Sequence, residues 1–505
     1  MIPLSDKMAE PPSAYDQLTK HLGEIAIVGS IGSLLHWDQE TGMPHAGGEW
    51  RAEQLAWIAN RQHALLTHVR TRDLLEAAEA EGNLTSDAMV NVQWARRDYD
   101  RATRLPAAFV EECARTESLA HESWKAARIT SDFGIFAPML HKLVDQARLR
   151  ADYISEQAAS PYDALLDLHE PGATTAEVSA LFDTLTPQLS ELVELATQKG
   201  SSLPTLPDGL EYPVEAQRRF NHVIAEAIGF DFGSGRIDTS THPFCTRLGA
   251  MDHRLTTRYD TRDFTSSLYG VLHECGHGLY EQGLDAGSYG LPVGSAISLG
   301  IHESQSRLWE NHVGRRLDFW EQWFPLAVEC FPGLLGSAPH ELWQYANRVQ
   351  RSFIRVEADE VTYDLHIILR FRLERALIEG DVEAKDIPGE WNTLFQQLFG
   401  QQIPNDSMGC LQDVHWSMGG FGYFSTYTQG NLNAAQLMQA ARKAVVTLDQ
   451  DLADGNYSSL LSWLRKHVHS QGMRHVPKEL MQRATGEPTA TTAYLRHLKQ
   501  KLQFV

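Results

Sequence analysis

The chain has 505 residues, 43% of them hydrophobic and 22% charged, which is typical of a globular protein that buries a large core. A formal net charge of −21 disfavours nucleic acid and anionic membrane surfaces as partners, because both are bound by clustered lysine and arginine. The five cysteines are far apart and form no CxxC pair, which disfavours both a disulfide framework and a cysteine-rich zinc site.

The N-terminal segment carries no basic stretch followed by an apolar one, so we expect no secretion signal. No run in the chain approaches the roughly 18 apolar residues that a membrane helix needs. Together with the cysteine pattern, these observations predict a cytoplasmic protein.

Helical periodicity dominates the sequence and predicts a mainly α fold. In the segment 174–200, Thr174 and Glu177 form a candidate capping box, apolar residues recur at helical spacing, and Gly200 ends the run. The same pattern predicts further helices within 51–90, 137–157, 213–229, 340–380, 433–453 and 456–469.

Strand signals are confined to two short threonine-containing segments, 236–244 and 252–258, which predict a small antiparallel sheet near 236–258. No linker is long or polar enough to require independent domains, so we expect one domain that spans 1–505. The Pro/Gly-rich segment 201–213 is the candidate boundary between two lobes.

The sequence HECGH contains His273, Glu274 and His277. Residues four apart on a helix lie on one face, about 6 Å from each other, so the two imidazoles can bind one metal ion while Glu274 holds a metal-bound water. A pair of buried, hydrogen-bonded histidines is the alternative interpretation. Cys275 is turned about 200° from His273 on a helix, so we assign it to the core.

A catalytic zinc ion usually has three protein ligands and one open position. The helical segment 298–317 offers Glu303, which would complete a His-His-Glu set suited to peptide hydrolysis. His302 is a rival ligand, but it points about 100° away from Glu303, so only one of them can face the metal. The alternative for Glu303 is a surface salt bridge to Arg307. The glycine-rich segment 283–295 joins the two helices as either a lid or a static connector.

Several further motifs occur in order around these helices. They are His242-Pro243-Phe244, Asp252-x-Arg254-x-Thr256, His302-Glu303-Ser304-Gln305, Ile354-Arg355-x-x-Ala358-Asp359 and Gly409-x-x-Gln412-Asp413-x-His415-Trp416. In these motifs, in HECGH and in LLHWDQETGMP at 34–44, the chain resembles the carboxypeptidase Taq family of zinc metallocarboxypeptidases over nearly its whole length.

The resemblance implies a large helical peptidase fold with two lobes around a deep cleft, a zinc-site core at about 236–430, and a homodimer. It implies one Zn²⁺ per subunit, with Co²⁺ as a possible substitute. It also implies peptide substrates with a free C-terminus, from which residues are removed with broad specificity and with C-terminal proline disfavoured. His273, His277 and Glu303 match the metal positions, and Glu274 matches the general base.

A carboxypeptidase must bind the free α-carboxylate of its substrate, and a planar guanidinium is the natural partner. Arg351 and Arg355 lie four apart within the predicted helix 340–380. Arg355 carries a family motif and is our first candidate, followed by Arg254 and Arg351. The alternative for Arg355 is an ion pair with Asp359 on the surface of this helix.

The oxyanion that forms during hydrolysis needs hydrogen-bond donors besides the metal. His415 and Tyr423, which flank a glycine-rich aromatic segment, are the candidates, and ordinary packing is their alternative. The HPF match adds His242 to the candidate substrate-binding residues. Asp252 or Asp359 is a candidate for orienting an arginine or a zinc-binding histidine.

Two other functions fit parts of the sequence. A zinc aminopeptidase or endopeptidase would use the same His-His-Glu set, although no acidic motif that could bind a substrate ammonium group adjoins the zinc helix. A non-catalytic helical peptide-binding protein with a structural metal is the second. Glu274 argues against it, because a structural site needs no base and tends to fill its fourth position with protein.

Overall fold

The structure is a computed structural model that describes residues 12–155, 159–200, 205–206 and 209–504. The start of the chain, for which the sequence predicts no secretion signal, lies outside these residues through position 11, as do 201–204 and 207–208 of the predicted lobe boundary. No helix among the described residues has both the length and the apolar composition that crossing a bilayer requires.

The described residues up to 200 form eight α-helices. They are α1 (Ala14–Thr41), α2 (Gly48–Leu66), α3 (Val69–Glu79), α4 (Ser86–Arg104), α5 (Ala107–Thr130), α6 (Ala137–Ile154), α7 (Pro161–His169) and α8 (Thr175–Gly200). Side-chain caps explain where several begin. Ser13 accepts a hydrogen bond from the backbone N–H of Asp16 before α1, and Thr174 accepts one from Glu177 before α8, as its sequence predicted.

The next section of the chain holds the sheet and the HECGH helix. Its elements are α9 (Val214–Ala227), β1 (Gly235–Thr239), β2 (Cys245–Gly249), β3 (Asp252–Thr257), α10 (Phe264–Gly283), α11 (Leu299–Arg307), a π-helical segment (Leu308–Val313), α12 (Leu317–Cys330) and α13 (Pro339–Ala346). The remaining elements are α14 (Tyr363–Glu379), α15 (Ile387–Phe399), α16 (Ser425–Ala444), α17 (Leu448–Ala453), α18 (Ser458–His467), α19 (Pro477–Thr485) and α20 (Thr492–Phe504). The mainly α fold that the periodicity predicted is confirmed.

The sheet is mixed, and the predicted antiparallel pairing of 236–244 with 252–258 is wrong. β3 lies in the centre, where it pairs in parallel with β1 and antiparallel with β2. Because β1 and β2 lie on opposite edges of β3, the chain crosses between them at 240–244, where the backbone N–H of Phe244 donates to Thr256 Oγ1 at 2.9 Å. The sequence of β2, CTRLG, alternates too weakly to be recognised as a strand.

The predicted helix within 340–380 is two helices, because the chain leaves α-helical geometry between α13 and α14. In this connection the side chain of Gln412 replaces helical hydrogen bonds. Its Oε1 accepts from the backbone N–H of Arg355 at 2.8 Å, and its amide donates to the carbonyl of Phe353 at 3.0 Å. Arg355 begins a single 3₁₀ turn, so Arg351 and Arg355 do not share the helical face that their spacing predicted.

Buried hydrophobic residues form two large clusters. The first is built by α5–α8 together with α14, α15 and α20, and the second by α9–α13 together with α17–α19. Helix α16 belongs to both, since it places Leu432 in the first cluster and Leu437 in the second. The HECGH helix α10 lies in the second cluster, next to this shared helix through α11.

Candidate active site

The helices α10 and α11 pack with their backbones almost in contact. A Cβ atom added to Gly276 would lie 2.5 Å from the carbonyl oxygen of Gln305, so only glycine permits this approach. On the other side of α11, a Cβ atom added to Gly430 of α16 would lie 2.4 Å from Cγ of Glu303. Two glycines therefore hold Glu303 between the HECGH helix and α16.

This packing brings His273, His277 and Glu303 together. Nε2 of His273 and Nε2 of His277 each lie 3.6 Å from the same oxygen, Oε2 of Glu303. One ligand atom from each of the three residues lies within 4.8 Å of the others. Ligand atoms about 2.0–2.2 Å from a tetrahedral Zn²⁺ are about 3.4 Å from each other, so the spacing suits one ion between the three side chains.

The other ring nitrogen of each histidine is held by a separate partner. Nδ1 of His273 lies 3.0 Å from Oε2 of Glu310, and Nδ1 of His277 lies 3.0 Å from the carbonyl oxygen of His302. Both partners are acceptors, so both rings carry their proton on Nδ1 and turn the lone pair of Nε2 toward Glu303. The donor set thus fits a metal ion.

The sequence interpretation did not assign a role to Glu310. Its signal was its spacing, because Glu303, Arg307 and Glu310 follow each other at four and then three residues along one helical face. Burial alone would raise the pKa of Glu310, but Arg307, His273 and Arg315 hold it well below its usual value. The carboxylate beside His273 is therefore charged.

Glu303 makes the ion pair with Arg307 that was the alternative to metal binding, yet this pair is buried rather than on the surface. Nε of Arg307 donates to Oε1 of Glu303 at 2.6 Å, and Nη1 donates to Oε2 of Glu310 at 3.2 Å. Because the bond to Arg307 uses Oε1, Oε2 of Glu303 stays directed at the imidazoles. The two interpretations of Glu303 are compatible.

Glu274 lies beside these three residues and is 6% exposed. Its Oε2 has no hydrogen-bond partner among the described residues. Burial, reinforced by the charge of Glu303 and opposed by His273, raises the pKa of Glu274 to about 7. A buried carboxyl group with a free oxygen and a pKa near neutrality has the properties of a general acid–base.

Two other residues of these helices, His302 and Cys275, face away from Glu303. His302, the rival ligand, lies on the far side of His277 from Glu303. Its Nδ1 is 2.5 Å from Nδ1 of His277, and its Nε2 is 2.9 Å from Oε1 of Glu281. Cys275 is fully buried in the second hydrophobic cluster, where its helical position predicted it.

Arg355 is 6% exposed and lies in a cluster of charged and aromatic groups. Its Nε donates to Oδ1 of Asp413 at 2.9 Å, and its Nη1 donates to the hydroxyl of Tyr363 at 3.0 Å. The alternative ion pair with Asp359 is wrong, because the Asp359 carboxylate accepts hydrogen bonds from the connection between α13 and α14, including the N–H of Gln350 at 3.1 Å.

The other two candidate arginines have separate partners. Arg351 forms an ion pair with Glu194 of α8. Arg254 donates from Nε and Nη2 to its strand neighbour Asp252, both at 2.9 Å, and its guanidinium carbon lies 4.3 Å from the ring centroid of Trp37. Of the two candidate aspartates, Asp252 is thus the one that contacts an arginine. The structure does not bring the three arginines together.

An aromatic cluster adjoins Arg355. The ring of Tyr427 lies 5.2 Å from the guanidinium carbon of Arg355, and ring centroids are 5.4 Å apart for Tyr423 and Tyr427 and 5.3 Å apart for His415 and Tyr423. Burial lowers the pKa of His415 to about 4, so its imidazole is neutral at physiological pH. Tyr427 and Tyr363 belong to this cluster although no motif pointed to them.

His242 is not part of this assembly of side chains. It lies exposed in the crossing between β1 and β2, where its carbonyl oxygen accepts a hydrogen bond from Ser240 Oγ at 2.7 Å. None of its described contacts reaches His273, His277 or Glu303.

Comparison with known proteins places this chain in one family. Residues 17–502 match the carboxypeptidase Taq (M32) metallopeptidase family. The chain is 41% identical to thermostable carboxypeptidase 1 of Thermus thermophilus, over 97% of this chain and 98% of that protein.

Solved structures agree with the sequence relatives. The M32 carboxypeptidase of Deinococcus radiodurans R1 has a TM-score of 0.94 at 40% identity, over 97% of this chain and 98% of that one. The Apo-Mg structure of Pyrococcus furiosus carboxypeptidase also has a TM-score of 0.94, at 36% identity, over 97% of this chain and 99% of that one.

The fold and these matches define a metallopeptidase that removes C-terminal residues from peptides. The chain belongs to the carboxypeptidase Taq (M32) family, as its motifs predicted.

Proposed function

We propose that the chain is a zinc-dependent carboxypeptidase in which His273, His277 and Glu303 hold the metal and Glu274 is the general base. The observation that carries this proposal is the pair of Nε2 atoms at 3.6 Å from one oxygen of Glu303, with each Nδ1 already engaged. Two imidazoles and one carboxylate suit Zn²⁺ or Co²⁺ better than Mg²⁺, which prefers an octahedral shell of oxygen atoms.

When bound, the metal would acidify a water molecule and polarise the scissile carbonyl. Glu274 accepts the proton of the attacking water on its unpartnered Oε2 and returns it to the leaving amine. Its raised pKa, about 7, makes the carboxyl group both a competent base and a competent acid near neutral pH. Glu310 and the carbonyl of His302 keep the two imidazoles oriented throughout.

Arg355 is our candidate for binding the substrate α-carboxylate. The single carboxylate of Asp413 pairs with both Arg355 and Arg370, so the three groups together carry one net positive charge. Arg370 is fully buried, whereas Arg355 adjoins the aromatic cluster that contains Tyr423 and Tyr427. A buried net positive charge beside this aromatic cluster would attract the C-terminal carboxylate of a peptide.

His415 and Tyr423 are the candidate donors for the oxyanion. Both belong to the aromatic cluster, and the Tyr423 hydroxyl, with its pKa raised by burial, keeps its proton and can donate it in a hydrogen bond. A neutral His415 has one N–H to donate, and its Nδ1 has no partner among the described residues. The oxyanion-binding roles of His415 and Tyr423 are part of the proposal. Arg351, Arg254 and His242 remain weaker candidates for substrate binding.

The proposal also includes properties that rest on the family resemblance. These are broad specificity with C-terminal proline disfavoured, a homodimer with one Zn²⁺ per subunit, replacement of that Zn²⁺ by Co²⁺, and a cytoplasmic location. Light scattering of the purified protein tests the dimer, and metal analysis together with Co²⁺ reconstitution tests the metal.

Mass spectrometry of peptide digests tests the proposed reaction. An N-terminally blocked peptide with a free C-terminus should lose residues one at a time, and its C-terminal amide should resist. A chelator should stop the reaction, and Zn²⁺ should restore it. Glu274→Gln should keep its metal but lose nearly all turnover. The control Glu329→Gln, at an exposed carboxylate on α12, should keep both its metal and its turnover. Internal cleavage of both peptides would instead identify an endopeptidase.

A further inference from the structure

A second group of potential metal ligands lies outside the candidate active site. It consists of His312 in the π-helical segment, Glu360 in the connection between α13 and α14, and His497 on the C-terminal helix α20. One ligand atom from each lies within 4.8 Å of the others. Nε2 of His497 is 2.8 Å from Oε1 of Glu360, and the ring centroids of His312 and His497 are 4.0 Å apart.

His312 is the member of this group that ordinary packing explains least. It is 5% exposed, and the side-chain hydrogen bonds of the described residues include none to its ring. Its polar neighbours include the ring of His497 and the carboxylate of Glu360. The ring nitrogens of His312 are therefore available to a metal ion.

Glu360 is divided between two partners. Its Oε1 faces His497, while its Oε2 forms an ion pair with Lys501, one helical turn further along α20. Oε1 is therefore placed to bind a cation while Lys501 holds the other oxygen. The positive charges of Lys501 and Arg442, which both act on His312, oppose a further cation and should weaken its binding.

We propose that His312, Glu360 and His497 form a second site for a divalent transition-metal ion, Zn²⁺ in the first instance, with weaker affinity than the active site. Two imidazoles and one carboxylate select Zn²⁺ or its neighbours over Ca²⁺ and Mg²⁺, which require oxygen ligands. The hydrogen bond between His497 and Glu360 need lengthen only by about 0.6 Å to admit an ion, given the ligand spacing of tetrahedral zinc.

The position of this site gives it a structural role. The π-helical segment that carries His312 also carries Glu310, which orients His273. The connection that carries Glu360 also carries Arg355. A metal ion here would link the C-terminal helix α20 to two segments that support the active site. Because it binds the folded chain, it would also stabilise that state by mass action.

Zinc stoichiometry tests the second site separately from the first. In the double variant His273→Ala/His277→Ala, which lacks the active-site imidazoles, equilibrium dialysis against micromolar Zn²⁺ should leave one zinc ion per chain. Adding His497→Ala should remove it. Adding His475→Ala instead should not, because among the described residues His475 pairs with a single carboxylate, that of Glu479. Thermal unfolding in the presence of a chelator shows whether each variant is folded.

Lys501→Met gives the sharpest test, because it should tighten zinc binding at the second site at least tenfold by removing the opposing charge. A merely structural cluster of His312, Glu360 and His497 would give no such gain. The proposal is overturned if the double variant binds no zinc, or if His497→Ala leaves its zinc content unchanged. A wrong assignment of the active-site ligands would give a different result. The double variant His273→Ala/His277→Ala would then bind as much zinc as the wild type.

Discussion

Single carboxylates in the candidate active site each contact more than one partner. Glu303 offers Oε1 to Arg307 and Oε2 to the imidazoles. Glu310 offers Oε2 to His273 and Arg307, and its Oε1 accepts from Arg315 at 3.2 Å. Charged hydrogen bonds of this kind are strong when every partner is present, and the loss of one partner leaves a buried charge uncompensated.

Glu310→Gln should weaken metal binding without removing a ligand. The substitution takes the negative charge away from Nδ1–H of His273, and such outer carboxylates typically contribute about 10- to 100-fold to metal affinity. Titration against a competing chelator measures the change. Glu329→Gln, at an exposed carboxylate, is the control and should bind metal like the wild type. Equal affinities for both variants would contradict the orienting role of Glu310.

Arg355→Ala should lower kcat/KM by the equivalent of about 2–5 kcal/mol, as expected when a buried charged partner is truncated. The effect should be largest for substrates with a free α-carboxylate. Arg351→Ala, which breaks a partly exposed ion pair with Glu194, should change kcat/KM little. Steady-state kinetics on one blocked dipeptide compares the two variants, and a larger loss for Arg351→Ala would transfer the carboxylate-binding role to that residue.

At the scale of elements, the site depends on three helices that pack unusually closely. Gly276 lets α10 approach the backbone of α11, and Gly430 lets α16 approach Glu303. The relative positions of the three candidate ligands therefore depend on how closely these backbones approach each other. A change of a few tenths of an ångström in either contact moves Glu303 relative to both histidines.

Gly430→Ala should disturb the metal site from outside it. The new methyl group would lie 2.4 Å from Cγ of Glu303, and overpacking of this kind costs about 1–3 kcal/mol of stability. We expect lower metal affinity and lower activity together. Gly389→Ala on α15 is the matched control, because its Cβ would meet no atom within 4 Å. If Gly430→Ala bound metal as tightly as the control, the close packing would not position Glu303.

The helices that the sequence predicted best are those whose signals are local. Thr174 caps α8 in the structure, and HECGH and Glu303 lie on helices as predicted. The connection between α13 and α14 was missed because its hydrogen bonds come from Gln412, 57 residues after Arg355. Periodicity within a window cannot register a partner so distant in the sequence.

The same limit applies to the other differences between sequence and structure. The parallel pairing of β1 with β3 depends on a crossing of the chain that no strand pattern encodes. The pairing of Arg355 with Asp413 rather than Asp359 is set by the tertiary fold, although Asp413 stands in a recognised motif. Glu310 was within reach of the sequence, since it continues the face that carries Glu303 and Arg307.

At the scale of the whole molecule, buried carboxyl groups connect distant segments. Glu374 of α14 accepts hydrogen bonds from the hydroxyl of Tyr162 at 2.8 Å, from Nε1 of Trp416 at 2.8 Å and from the backbone N–H of Gly422 at 3.1 Å. Burial raises the pKa of Glu374 from 4.5 to about 7, because these bonds compensate only partly for lost hydration.

This shift predicts a pH dependence of stability. Below pH 4.5 both folded and unfolded chains keep the proton of Glu374, and the contribution of this group to stability is then largest. Between pH 4.5 and about 7 the unfolded chain releases the proton first, so stability falls by about 1.4 kcal/mol per pH unit at most. Above about pH 7 the loss is complete.

Glu374→Gln should therefore reduce the fall in Tm between pH 5 and pH 7.5, whatever its effect on Tm itself. Thermal unfolding at the two pH values measures this difference. Glu379→Gln, at a carboxylate that pairs with Arg375 on the same helix, is the control. If Tm fell as much between the two pH values for Glu374→Gln as for Glu379→Gln, Glu374 would not be the titrating group.

Helix α16 has a consequence for how a peptide enters the enzyme. Its apolar side chains belong to both hydrophobic clusters. A hinge-like separation of the two clusters would therefore pull Leu432 or Leu437 out of its packing. We therefore expect the peptide to enter past peripheral helices such as α1 and α2, where Ile27, Trp50 and Trp57 are exposed to water. We expect crosslinks that immobilise α1 against β2, its neighbour in the fold, to slow product formation without altering the metal content.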